Sequence, residues 1–238
     1  MRAILLTVSA LAIAAAAAAP AGAQFTAPPS DTAPRAVGGG GSLVYAQPLG
    51  AFKDNVNGGG GASGHLLVRV GESGALALRL DGGFLVYGHE RLRARNPISG
   101  RVTFDVTTTN NIVTAGVGPQ LMVPTGRLRP YVHGSVGLAY FFTESSLSGA
   151  DNNEQFARTT NLSDGNFAYT GGGGLYIALG SSRHPISLDL SAQYHNNGRA
   201  RYLTEDGIVD NPDGSATLFP IRSEADFMTY HLGVAVGF

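Results

Sequence analysis

Apolar residues recur at every second position along most of this chain, and this period is the feature that most restricts its fold. The run from Met228 to Phe238 shows it clearly, because apolar side chains alternate there with small or polar ones. Side chains of a β-strand point alternately to opposite faces, and a tilted strand needs about 9–11 residues to cross the hydrocarbon of a bilayer. The run therefore has the pattern and the length of a membrane-crossing strand.

Eight strand-like runs of this kind follow one another after Ala36, and the connections between them alternate between short and long. The short connections are Gly71 to Gly74, Val123 to Arg127 and Gly180 to Pro185. The long ones lie near Lys53 to Gly58, Arg91 to Arg101, Ser145 to Asn166 and Asn196 to Ser223. An even strand number, short turns at one end and longer loops at the other characterise outer-membrane barrels. The sequence predicts an all-β fold, an eight-stranded antiparallel up-and-down transmembrane β-barrel.

In the fourth run the apolar residues do not all fall on the same alternate positions. Its apolar residues Phe104, Val106 and Ile112 stand at positions opposite in parity to those that follow. An extra residue in one strand would reverse the parity, so we expect a β-bulge between Thr107 and Asn111.

Composition excludes several other classes of protein. A chain that is 43% hydrophobic and only 14% charged has an unusual composition for a water-soluble surface. The absence of cysteine excludes disulfides and thiolate metal sites, and a net charge of −1 argues against nucleic-acid binding.

The amino-terminal segment has the features of an export signal. Arg2 precedes an apolar run from Ala3 to Ala19, and small residues follow it up to Ala23. A membrane anchor is the alternative, but the run is mostly alanine and has fewer than the roughly 20 strongly apolar residues that a spanning helix needs. We expect a signal peptide over 1–23, a flexible periplasmic tail over 24–35 and the barrel over 36–238.

This pattern resembles that of the small eight-stranded bacterial outer-membrane β-barrels of the OmpA/OmpX shape. The resemblance implies export through the periplasm of a Gram-negative cell and insertion into the outer membrane by the assembly machinery. Phe238, with Val236 and Tyr230, is similar to the terminal aromatic signal that this machinery recognises. The chain has no tryptophan, so tyrosine and phenylalanine are expected to form the aromatic girdle at the membrane interface.

A soluble lipocalin-like barrel is the main structural alternative, because it also has eight antiparallel strands, but its apolar faces point inward. In this chain the face opposite the apolar one carries ions and histidine, which suits a lumen that is filled by a polar network. The residues expected in that network are Arg69, Arg79, Asp81, Asp189 and His231.

Three groups of residues could carry chemistry. His195-Asn196-Asn197-Gly198 resembles the His-x-Ser-Asn stretch of outer-membrane lipid A deacylases, but Asn197 stands where the serine nucleophile would be. Asp210 to Gly214 has calcium-like spacing, but its composition is that of a turn. Inward parity is shared by His65, His89, His133, His195 and His231, for which we expect hydrogen bonds to interior carboxylates. We expect no catalytic residue, metal or cofactor.

Arg91, Arg93, Arg95 and Arg101 flank the second long loop, where they could bind lipopolysaccharide phosphates or form a solvated hairpin tip. We therefore expect a monomeric, non-enzymatic barrel that contacts outer-membrane lipid and has a structural, adhesive or protective role through its loops. A lipid-modifying enzyme, a narrow passive pore and a soluble ligand-binding barrel are the alternatives.

Overall fold

The computed structural model describes residues 36–95, 103–149, 155–179, 186–204, 207–211 and 216–237. Within these ranges the chain forms one short helix, α1 (Gly50–Lys53), and twelve strands. The strands are β1 (Val37–Pro48), β2 (Gly59–Val70), β3 (Leu76–Arg95), β4 (Thr103–Met122), β5 (Leu128–Gly149), β6 (Gln155–Ala178), β7 (Ile186–Asn196), β8 (Arg199–Tyr202), β9 (Ile208–Asp210), β10 (Ala216–Leu218), β11 (Ile221–Glu224) and β12 (Phe227–Val236). The predicted signal peptide, the predicted tail, Arg101 and Phe238 lie outside the described residues.

Eight of these strands close into a barrel in the order β1-β12-β7-β6-β5-β4-β3-β2, and every neighbouring pair is antiparallel. The first and last barrel strands complete the ring, with Leu43 of β1 opposite Leu232 of β12. The predicted eight-stranded up-and-down barrel is confirmed. The remaining four strands form two small sheets, β8 with β11 and β9 with β10, in the connection between β7 and β12.

The apolar face of the barrel strands points outward. Leu43, Leu66, Leu138 and Leu232 are each more than half exposed. On the opposite face Arg79, Gln120 and Asp189 are at most 3% exposed. The expectation of a polar lumen is thus confirmed, and a lipocalin-like barrel with apolar faces turned inward is excluded. Within the described residues, no helix is long and apolar enough to cross a membrane.

The β-bulge is in a different strand from the one predicted. β4 keeps one register with β5 from Phe104 to Val117, whereas the register shift lies in β3, between Val86 and Gly88. Ile112 is only 2% exposed and belongs to a buried apolar cluster inside the barrel. The apolar residue at reversed parity therefore marks an apolar part of the lumen, and not a bulge in β4.

The barrel strands differ greatly in length. β7 and β12 have 11 and 10 residues, close to what a membrane crossing needs. β3, β4, β5 and β6 have 20, 20, 22 and 24 residues, so they continue beyond the barrel at the long-loop end. We call these continuations, residues 88–95, 103–110, 143–149 and 155–162, the projecting sheet. At the other end the chain turns sharply, as between β2 and β3, where Gly71 and Gly74 have φ of 78° and 65°.

Candidate functional site: the lumen and the projecting sheet

A polar network occupies the short-turn half of the lumen. Arg79 forms an ion pair with Asp81, two residues along the same face of β3, and its Nη1 donates a hydrogen bond of 2.8 Å to Oε1 of Gln120. Asp189 instead accepts a 2.7 Å hydrogen bond from the phenol of Tyr131. Asp81 is thus paired with an arginine, whereas Asp189 forms no ion pair with a described residue.

Tyr131 is held in place by its neighbours. Its ring stacks on that of Tyr176, with the centroids 4.4 Å apart, and the guanidinium carbon of Arg79 lies 5.9 Å from its centroid. Tyr131 and Tyr176 are 3% and 0% exposed. The two rings fill the cross-section of the lumen at this level.

Histidines form the next layer toward the long-loop end. His231 contacts Ser63 Oγ through Nδ1 at 3.0 Å and Thr229 Oγ1 through Nε2 at 2.8 Å. His195 contacts the same Thr229 hydroxyl at 2.9 Å and Thr170 Oγ1 at 3.2 Å. The expectation of carboxylate partners is wrong for this pair, because hydroxyl groups on neighbouring strands lie closer.

The other three histidines differ from one another. His65 contacts the hydroxyl of Tyr176 at 3.1 Å. His133 is buried, and neither of its ring nitrogens has a hydrogen-bond partner among the described residues. His89 is exposed, contrary to its predicted inward parity, because the β3 bulge after Val86 reverses the faces. In the described part of the chain, no group of three potential ligands is placed to hold a metal.

An aromatic cluster closes the long-loop end of the lumen. Phe52 of α1 is 1% exposed, and its ring centroid lies 5.0 Å from that of Tyr202 and 5.7 Å from that of Tyr87. The rings of Phe141 and Phe227 complete the contact at 6.3 Å each. We call these five residues the aromatic plug. In the sequence, the reversed parity near Ile112 indicated an apolar region at this level of the lumen. No sequence pattern indicated that Phe52 inserts into the lumen from a loop.

A small cavity separates the polar network from the aromatic plug. It is lined by Arg79, Asp81, His195 and His231, and its volume is 40 Å³. One water needs roughly 10–15 Å³ of such space, so the cavity suits a few trapped waters. A continuous passage would need both the aromatic plug and the stacked tyrosines to move.

The predicted assembly-signal residues face outward where they are described. Tyr230 is 44% exposed, stacks on Tyr45 with centroids 6.4 Å apart, and donates a 3.2 Å hydrogen bond to Oε1 of Gln47. Val236 is 51% exposed near the short-turn end. Tyr140, Phe167, Tyr169 and Tyr194, four of the residues expected in the girdle, are also exposed outward near the long-loop end.

One of the loop arginines forms an ion pair within the protein. Arg91 pairs with Asp105 of the adjacent strand, and Asp105 is 1% exposed. Arg93 and Arg95 lie in β3, in register with Asp105 and Thr103. The structure brings Arg91 to a carboxylate, so its charge is already balanced within the protein.

The stretch from His195 to Gly198 joins neighbouring strands together. Asn197 Nδ2 donates a 2.7 Å hydrogen bond to the carbonyl of Ala225, and its backbone N–H donates to Asp226 at 3.1 Å. Asn197 is fully buried. These contacts fit a polar cluster at a strand-to-loop exit. Of the calcium-like stretch, residues 212–214 lie outside the described residues.

Hydroxyl and amide groups, together with an ion pair, link the strands of the projecting sheet. Ser145 Oγ lies 2.8 Å from Thr108 Oγ1 and accepts from Asn161 Nδ2 at 2.7 Å. Arg158 and Glu144 form an ion pair of 2.9 Å between β6 and β5. β2 pairs with β3 only up to Val86, so in the described chain the outer edge of the β3 continuation has no strand partner.

The sequence matches no protein-family model and no curated protein. The structure is similar to OprG, an outer membrane protein from Pseudomonas aeruginosa, with a TM-score of 0.49 and 9% identity, covering 87% of this chain and 97% of that one. It is also similar to Ail, the attachment invasion locus protein of Yersinia pestis, with a TM-score of 0.44 and 12% identity, covering 84% and 96%. Neisserial surface protein A gives a TM-score of 0.39 and 11% identity, covering 85% and 97%.

The geometry itself places the barrel in a bilayer. Exposed apolar side chains occur on the outer face of all eight barrel strands, and a continuous apolar band of this kind is not tolerated on a soluble monomer. An even number of antiparallel strands, short turns at one end and long extensions at the other are the features of bacterial outer-membrane β-barrels. The protein is an integral β-barrel of the bacterial outer membrane.

Proposed function

We propose that this barrel is a non-enzymatic surface protein with a closed lumen. Its outward apolar face anchors it in the membrane, and the projecting sheet acts in an adhesive or protective role. The observation that carries the proposal is the continuation of four neighbouring strands by about eight residues each beyond the barrel. At about 3.3 Å per residue, such strands extend roughly 25 Å above the membrane-spanning part.

The chemistry of the projecting sheet supports contact with polar surfaces. Its described side chains include Thr108, Ser145 and Asn161, which form a ladder of hydrogen bonds between strands. Such a ladder links the strands to one another through polar side chains. A sheet with an open strand edge can bind extended peptides by adding a strand, or present hydroxyl and amide groups to glycans.

The test removes the projecting sheet and leaves the barrel. Gly88 is opposite Asn110 and Phe142 is opposite Ser163, so residues 89–109 and 143–162 can each be replaced by an Asn-Gly turn without a change of register. Cells that make the shortened barrel should lose adherence to matrix-coated surfaces or survival in bile detergent. A Val209→Ser variant, altered on the separate β9 strand, is the matched control.

Equal surface amounts of folded barrel, measured by heat-modifiability on a gel, are required for that comparison. If the shortened barrel supports the same adherence and the same survival as the unmodified protein, the proposed role of the projecting sheet is wrong.

A lipid-modifying activity is disfavoured by the contacts of Asn197. Its side chain is buried and bonded to a backbone carbonyl, and it offers no hydroxyl to attack an acyl ester. Purified barrel should leave labelled lipid A unchanged. Release of acyl chains that is abolished in a His195→Ala variant would establish the enzyme instead.

Contact with lipopolysaccharide through the loop arginines is a further part of the proposal. Because Arg91 is paired with Asp105, the phosphates would bind through Arg93, Arg95 and Arg101. Replacing these three by glutamine should weaken lipopolysaccharide retention on the purified barrel more than Arg91→Gln does. Equal retention by all variants would argue for a solvated hairpin tip.

A further inference from the structure

Three buried polar atoms at the short-turn end of the lumen have no hydrogen-bond partner among the described residues. They are Nη2 of Arg69, Nε of Arg129 and Oγ of Ser187. A buried donor without a partner destabilises a protein, and a buried charge does so more strongly. All three groups are able to donate a hydrogen bond.

The three residues surround one opening. Arg69 is the next-to-last residue of β2, while Arg129 and Ser187 are the second residues of β5 and β7, so each lies one residue from the short-turn end of its strand. Around the ring, two strands separate β2 from β5, one separates β5 from β7, and two separate β7 from β2. The lumen of an eight-stranded barrel is only wide enough for side chains, so side chains that point inward at the same level lie close to one another.

Among the described residues, the positive charges at the mouth of this end are not paired with carboxylates. Asp81 is paired with Arg79, and Asp189 accepts its hydrogen bond from Tyr131. Arg69 and Arg129 instead carry like charges, and each has a buried donor nitrogen without a partner among the described residues. Two guanidinium groups and a hydroxyl, with no carboxylate paired to them in the described part of the chain, have the composition of an oxyanion site, because guanidinium binds phosphate oxygens in pairs.

We propose that the periplasmic mouth of the lumen binds a phosphate group through Arg69, Arg129 and Ser187. The phosphate belongs either to a small soluble anion of the periplasm or to a phospholipid headgroup of the inner leaflet. This site faces away from the projecting sheet and is independent of the surface role. A bound phosphate would neutralise the positive charge at the mouth and hold the two arginine side chains in place across the barrel.

The first arm of the test uses inorganic phosphate and the folded full-length barrel in non-ionic detergent, at constant ionic strength set with chloride. Calorimetric titration should show saturable binding to one site and a phosphate-dependent rise of the unfolding temperature. The Arg69→Gln/Arg129→Gln variant should weaken binding at least tenfold, and Ser187→Ala severalfold. Arg222→Gln, on the exposed β11 strand, is the matched control and should bind as the unmodified protein does.

The second arm separates the two sources of phosphate. In nanodiscs, phosphatidylglycerol but not an uncharged glycolipid should protect Arg69 and Arg129 from phenylglyoxal if the headgroup is the ligand. Saturable binding of inorganic phosphate assigns the site to a soluble anion, and protection by phosphatidylglycerol alone assigns it to the headgroup. If inorganic phosphate does not bind and phosphatidylglycerol does not protect the arginines, the proposal is wrong.

A measurement of the unfolding temperature shows whether the arginine substitutions weaken binding only because they destabilise the barrel. In phosphate-free buffer, Arg69→Gln/Arg129→Gln should unfold at the same or a higher temperature than the unmodified barrel, because the substitutions remove like charges. A lower unfolding temperature would mean that the arginines have partners within the protein, and that result would also overturn the proposal.

Discussion

At the scale of single residues, the lumen depends on glycines that face large side chains. A Cβ built on Gly174 would lie 2.7 Å from Cζ of Tyr131 and 2.6 Å from the carbonyl oxygen of Leu190. Gly172 has the same relation to His133, whose Nε2 would lie 2.9 Å away. The absence of these methyl groups allows Tyr131 to stack on Tyr176 and to reach Asp189.

Gly174→Ala should therefore destabilise the barrel. Overpacking by a methyl group costs about 1–3 kcal/mol, since the ring and the strand backbone must both shift. Gly171→Ala is the matched control, because a Cβ at that neighbouring glycine meets nothing within 4 Å. Urea unfolding in lipid vesicles measures the difference, and equal stability of the two variants would contradict the packing described for Tyr131.

The hydrogen bond from Tyr131 to Asp189 provides a second prediction. Tyr131→Phe should cost about 1–3 kcal/mol, because it leaves a buried carboxylate without its donor. Asp189→Asn in the same background should restore part of that loss. In a double-mutant cycle the two changes should be non-additive, and strict additivity would show that the pair does not interact.

At the scale of strands, the period of two was sufficient to predict the number of barrel strands and the face that each turns outward. It failed where an inward side chain is apolar, as at Ile112, because a period alone does not distinguish an apolar lumen from a bulge. Phe52 was missed for another reason. It lies in a four-residue helix whose inward position depends on contacts with Tyr202 and Tyr87, far away in the sequence.

The interior site was only partly predictable for a related reason. Parity placed Arg79, Asp81 and Asp189 on one face, and that placement is correct. The donor to Asp189 was not predictable, because Tyr131 lies two strands away across Tyr176 and pairing between such positions requires the register of the whole sheet.

The outward face predicts a third outcome. Leu232 is 56% exposed in the middle of β12, so Leu232→Arg should destabilise the folded barrel in lipid by about 2–4 kcal/mol. Val209 is similarly exposed, at 46%, but lies on β9 outside the barrel, and Val209→Arg should have little effect. Folding yields into vesicles measure both. An equal response to the two substitutions would contradict the assignment of the lipid-facing surface.

At the scale of the whole molecule, the barrel is closed by two different devices. The short-turn half holds a polar network around Arg79 and stacked tyrosines, and the long-loop half holds the aromatic plug centred on Phe52. Truncating a buried phenylalanine costs about 3–5 kcal/mol, so a large part of the stability of the long-loop end depends on this ring. A closed lumen does not allow transport through the barrel, which agrees with a role at the surface.

Planar-bilayer recording on the purified, folded protein tests the closed lumen most directly. The unmodified barrel should give no sustained single-channel conductance, because both the stacked pair Tyr131–Tyr176 and the aromatic plug block the axis. A reproducible, sustained single-channel conductance from the unmodified protein would contradict the closed lumen and establish a narrow pore.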